Sequence, residues 1–199
     1  MLFGSLLVFF GFLVFSWNYL VKMRNDVFSD MKISMMDKPV VEEIKKVEEN
    51  VEQSSSSDVQ NVEEIDYSKY FGVLEIPKIY LKRGFYYFDS RYNNIKYNVT
   101  LVNGSDLPDV YHGNMILMAH SGDSYISYFA YLYKLNVGDD CYVTCNGNRY
   151  HYRIVNIYDT PKNGIVSINR NRNANTLTMI TCTKDSDVLQ TVYIAELVE

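Results

Sequence analysis

Two apolar runs in this chain each end on a residue capable of covalent chemistry. "TLTMITC" ends on Cys182 and gives way at once to the polar "TKDSD"; "NMILMAH" ends on His120 and gives way to "SGDS". An apolar run that stops at a polar segment sets its last side chain where a strand opens onto a loop, the usual location of a reacting group. A cysteine needs a nearby imidazole, or another positive environment, to raise its thiolate fraction at neutral pH. Two strands that each deliver one such residue make a Cys–His pair a candidate for nucleophilic chemistry. The spacing alone leaves a second reading open, in which both residues are structural.

The remaining cysteines and histidines read differently. Cys141 and Cys145 lie four positions apart in "CYVTC". On a strand that separation is roughly 13 Å, beyond the about 7 Å that a disulfide spans between Cα atoms. They share one strand face and are expected in the core as small apolar groups. Cys-x-x-x-Cys on a strand also lacks zinc's ligand spacing, and the loops carry no convincing acidic cluster for calcium, so neither a metal nor a cofactor is expected. His112, before a turn glycine, and His151, within a run of tyrosines, read as structural.

The elements that must position Cys182 and His120 are short strands. "GVLEIP", "IYLKRGFYYF", "NVTLV", "NMILMAH", "CYVTC", "RYHYRIVNI", "TLTMITC" and "VLQTVYIAEL" follow one another, divided by turn residues, with Asn146-Gly147 as a hairpin turn. The 18 Tyr and 10 Phe favour pleated, half-buried strands. The best helical signal is "YISYFAYLYKL", where Phe129, Leu132 and Leu135 recur at helical spacing. Many short strands with one or two short helices predict an all-β domain, a closed barrel or a sandwich. A net charge of −5 with scattered Lys and Arg excludes a general basic field for nucleic acid.

Ahead of these strands, "MLFGSLLVFFGFLVFSWNYLV" is uncharged until Lys22, without a basic n-region or a cleavage site. It is long enough to span a bilayer as a helix, and the expectation is an uncleaved transmembrane anchor over residues 1–21 rather than a buried core helix. Lys22 and Arg24 after the span would by themselves turn that side toward the cytoplasm. Residues 22–66 read as a stalk and linker. Within it, Val40, Ile44, Val47 and Val51 form a narrow stripe on a short helix at 39–53, solvated or dimerising, before the flexible "SSSSD". Residues 67–199 form the globular domain.

Taken in order, "GVLEIPKIYLKRGFYY", "GNMILMAHSG", "YFAYLYKLNVGDDCYV" and "TMITC" resemble segments of the sortases, the membrane-anchored cysteine transpeptidases of Gram-positive bacteria. "TMITC" resembles the T-L-x-T-C signature with Met179 in place of Leu. The resemblance covers about Phe71 to Leu197. It implies a closed eight-stranded sortase-type β-barrel with Cys182 as nucleophile, His120 as acid and base, and Thr181 helping to hold substrate. It implies cleavage of an LPxTG-like sorting signal, a thioacyl-enzyme, and transfer to an amine on cell wall or another surface protein. The barrel would then lie outside a single-pass cell-membrane anchor, against the flanking charges. One departure stands out: the family's arginine on the last strand is missing, and Gln190 falls about where it would stand. A glutamine amide donates hydrogen bonds but carries no charge. Arg153, Arg170 or Arg172 from another element is an alternative source of that charge. The missing arginine also keeps open a domain of this fold that has lost catalysis and serves as a surface binding or assembly module.

Overall fold

The computed structural model describes residues 2–36 and 69–198. Alternating burial builds the sheet. In β5 (Asp140–Cys145) every second residue, Cys141, Val143 and Cys145, is buried, and the residues between them are not. The other strands are β1 (Gly72–Ile76), β2 (Leu81–Phe85), β3 (Thr100–Leu101), β4 (Asn114–Met118), β6 (Asn148–Pro161), β7 (Thr176–Cys182) and β8 (Leu189–Leu197). Each of the eight runs read from the sequence overlaps one of them; β5 begins one residue before its run, and β6 extends beyond its run at both ends. Asn146 and Gly147 take φ of 50° and 73°, the pair of left-handed residues that a two-residue hairpin between twisted strands requires.

The strands form one sheet in the order β2-β1-β5-β6-β8-β7-β4-β3. A single parallel bridge between Phe85 and Val99 brings the two edges together, so the sheet is a nearly closed barrel. Within it lies the main core, with Leu74, Phe85, Leu117, Tyr152, Leu177 and Met179 among its fully buried members. A smaller apolar cluster occupies the opposite face of β7 and β8. There Ile180, Val192 and Ile194 are covered by Val166 and Ile168 from the segment between β6 and β7.

The helix expected in "YISYFAYLYKL" is replaced by consecutive tight turns. Ser127 N, Ala130 N, Leu132 N and Leu135 N each donate to the carbonyl three residues back, and only Leu132–Lys134 forms a 3-10 helix. With four tyrosines in eleven residues, the segment has little helix propensity to resist this winding. Phe129, Leu132 and Leu135 are nevertheless buried, because their spacing of three is the period of the 3-10 form.

The N-terminal helix α1 (Leu2–Met36) continues well past Val21. From Phe12 onward the sequence holds no Gly or Pro until Pro39, so nothing local stops it. Charged residues from Lys22 onward interrupt the apolar run, and among the described residues no helix is long and apolar enough to cross a membrane. Phe9, Phe10, Phe12 and Trp17 are exposed, while Ser29 and Ile33 are buried. The second half docks on the barrel. Arg83 of β2 ion-pairs with Asp26 and stacks on Tyr128 with its guanidinium 4.6 Å from the ring centre. Lys32 sits among Tyr70, Tyr86 and Tyr92 at 5.2, 5.2 and 5.7 Å and donates to the Tyr86 hydroxyl at 2.6 Å. The heptad-like stripe at 39–53 and the serine linker lie outside the described residues, as do residues 67 and 68 at the expected start of the domain.

Candidate active site

The site begins with a parallel pair. β4 and β7 run side by side with Asn114 opposite Thr176 and Met118 opposite Ile180. Their far ends are tied by the buried Asn114, whose Oδ1 accepts from the hydroxyls of Thr176 at 2.9 Å and Thr178 at 2.8 Å. Ala119 N donates to Ile180 O at 3.4 Å, so the ladder persists beyond the end of β4. Two residues past Met118, the same register sets His120 level with Cys182. Two side-chain bonds bracket this pair. Thr181 Oγ1 donates to Ala119 O and Ser121 Oγ to Cys182 O, each at 2.8 Å. Phe129 N donates to His120 O at 2.9 Å from the other side. Neighbouring strands lie about 4.8 Å apart, so the backbones of these two residues run side by side.

Cys182 is half-buried and opens into a cavity of about 830 Å³ whose wall includes Ser121, Tyr131, Lys162, Thr181 and Lys184. His120 does not line it. Thr181 lies in the wall, yet its side chain is buried and its hydroxyl is committed to Ala119 O. Beside it, Thr183 and Thr191 hydroxyls meet at 2.9 Å, and both donate to Asp159 Oδ1, at 3.3 and 2.7 Å.

Gln190 stands directly across from Cys182 on β8, and Thr160 of β6 stands across from Gln190. Directly opposed residues share a face, so the three form one cross-strand row. The Gln190 amide donates to Pro161 O at 3.3 Å. Neither Arg153 nor Arg170 reaches this row. Arg153 donates to Asp140 Oδ1 at 2.9 Å, and Arg170 to His112 O at 3.2 Å. Arg172 belongs to the segment that leads into the opposite end of β7. The cation beside the sulfur is instead Lys162, whose Nζ donates to Cys182 Sγ at 3.3 Å. Sequence reading passed over it, because it belongs to no apolar run and is 20 residues from the cysteine in the chain.

The other thiols are set apart by burial. Desolvation in the core, reinforced by Asp139 and Asp140, pushes the Cys141 thiol up to about 12. Cys145 is likewise pushed up to about 12 by desolvation, with Asp109 adding to it. Both are free and buried, as the alternation within "CYVTC" predicts. His151 stacks on Tyr142 at 4.7 Å and pairs with Asp140 at 2.8 Å; with Arg153 it holds that carboxyl below its ordinary range. His112 stacks on Tyr111 at 3.7 Å, and its backbone N donates to Asn175 Oδ1 at 2.6 Å. These two histidines thus have structural partners away from Cys182.

Known structures share this barrel. A Clostridium perfringens sortase D5 transpeptidase superimposes with a TM-score of 0.60 at 19% identity, over 90% of this chain and 99% of that one. Sortase C-1 of Actinomyces oris gives 0.60 at 21%, over 78% and 93%. A lid mutant of Corynebacterium diphtheriae sortase A gives 0.60 at 20%, over 70% and 75%. At such identities the likeness carries the fold alone. No curated protein matches the chain. The sequence model of the sortase domain matches residues 74–198, from β1 through β8. With that match over most of its length, the chain belongs to the sortase family of transpeptidases.

Proposed function

We propose that this chain is a cysteine transpeptidase that cleaves an LPxTG-like sorting signal and joins the released carbonyl to an amine. The observation that supports the reading is the β4–β7 register, which, continued two residues past Met118, sets the backbone of His120 level with that of Cys182, whose side chain opens into the cavity. The Cys182 sulfur attacks the carbonyl carbon of the scissile Thr–Gly bond, forming C–S while the carbonyl electrons move to oxygen. Collapse breaks C–N, and His120 gives its proton to the departing amine. An amine from cell wall or another surface protein then attacks the thioester. C–N forms, C–S breaks, and the amine proton passes to His120. Thr181 lies in the cavity wall, where its bond to Ala119 O positions the strand that carries His120, and Gln190 occupies the place of the family's arginine without its charge. Attachment to the cell membrane through the apolar first half of α1, with the barrel outside, completes the reading.

The test is to incubate the protein with a panel of LPxTG-like peptides and an amine, and to examine it by mass spectrometry. The expected result is an acyl adduct on Cys182 and a ligated product. Cys182→Ala abolishes both, and His120→Ala lowers turnover by roughly a hundredfold or more. Adduct and product that persist in Cys182→Ala would reject the reading. So would peptides of the panel that bind to the protein without ever being cleaved, the behaviour of a binding module.

A further inference from the structure

We propose that Lys162 is a catalytic residue, its ammonium serving as the fixed counter-charge of the Cys182 sulfur. The inference rests on the reading of Cys182 as a nucleophile and deepens it. Three observations carry it. The ammonium donates to Sγ at 3.3 Å, a direct contact with the reacting atom. The backbone of Lys162 is anchored, because its N–H donates to Val188 O at 2.8 Å and so extends the β6–β8 ladder by one step. The side chain also starts from the correct face. Lys162 is two residues beyond Thr160, which shares the row of Gln190 and Cys182, so the four-carbon stem reaches across β8 to the sulfur.

No competing partner holds it. Among the described residues no carboxylate ion-pairs with Lys162, and the nearby Asp159 is occupied by Thr183 and Thr191. Gln190 in the same row is turned to Pro161 O and brings no charge. An ammonium beside sulfur attracts the negative charge that sulfur carries as a nucleophile. When the sulfur attacks a carbonyl, its negative charge passes to the oxygen of the tetrahedral adduct as C–S forms. One of the three N–H bonds of Lys162 then turns to that oxygen, and it returns to sulfur when C–S breaks. Lys162 acts in this step through its charge and its N–H bonds, and proton transfer is assigned to His120.

The experiment reads local charge without needing a sorting peptide. Full-length protein is alkylated at pH 7 with anionic iodoacetate or neutral iodoacetamide, and modification of Cys182 is followed by mass spectrometry. A fixed cation beside the sulfur raises the rate ratio of the anionic to the neutral reagent. Lys162→Gln is expected to lower that ratio about fivefold at low ionic strength, and Lys162→Arg to retain it. A ratio unchanged in Lys162→Gln overturns the proposal. So does an equal fall in Lys184→Gln, since the charge would then belong to the cavity as a whole. If no peptide acylates Cys182 yet the ratio falls only in Lys162→Gln, the peptide reading fails and the counter-charge stands.

Discussion

Cys141 and Cys145 lie in the core with thiols pushed up to about 12, whereas Cys182 is half-buried with an ammonium 3.3 Å from its sulfur. Burial disfavours the anion, so both core thiols stay protonated through neutral pH and up to about 12 while the fold persists. Labelling the native protein with a maleimide at pH 7.5 should therefore modify Cys182 alone, and the other two should react only after denaturation. Early modification of Cys141 or Cys145 would contradict their burial. This division was legible from sequence, because a cysteine within an alternating strand and one at the end of an apolar run have different surroundings. Lys162 was not legible. Its neighbour across the site is fixed by the order of strands in the sheet, which a single sequence does not display.

The parallel β4–β7 pair is the element that makes the site, and its closing bond is the one from Thr181 Oγ1 to Ala119 O. The hydroxyl holds the backbone one residue ahead of His120. Thr181→Val keeps the shape and removes the donor, leaving a carbonyl without its partner at a cost of about 1 kcal/mol in stability. We expect kcat to fall roughly tenfold through misplacement of His120, with KM for the peptide little changed. A raised KM at constant kcat would instead make Thr181 a substrate contact, as the family resemblance implies. The strands themselves were readable from apolar runs and turn residues. The segment from Ser124 to Leu135 was not, since Phe129, Leu132 and Leu135 fit both a helical face and a series of three-residue turns. Local hydrogen bonding decided between them, and burial of those side chains is the same in either form.

The whole molecule joins a barrel to a helix whose two halves have different surroundings. The second half is fixed by Arg83 and by the tyrosines around Lys32, while Phe9, Phe10, Phe12 and Trp17 in the first half face outward. Such a contiguous exposed apolar face calls for a covering surface. We expect the full chain to sediment with cell membranes and to stay there through alkaline carbonate washing. Release by the wash would mean that something other than a bilayer core covers that face. Sequence announced the apolar segment but not the docking, because an isolated lysine or arginine in a sequence says nothing of which rings it will meet. A last consequence follows from the position of β8 between β6 and β7. In a chain synthesised from its N-terminus, β7 emerges before the strand that separates it from β6. The contact between Lys162 and Cys182 spans β8, so it requires that strand to stand between β6 and β7. Under the proposed role of Lys162, a chain in which β8 has not yet taken its place holds the Cys182 sulfur without its counter-charge.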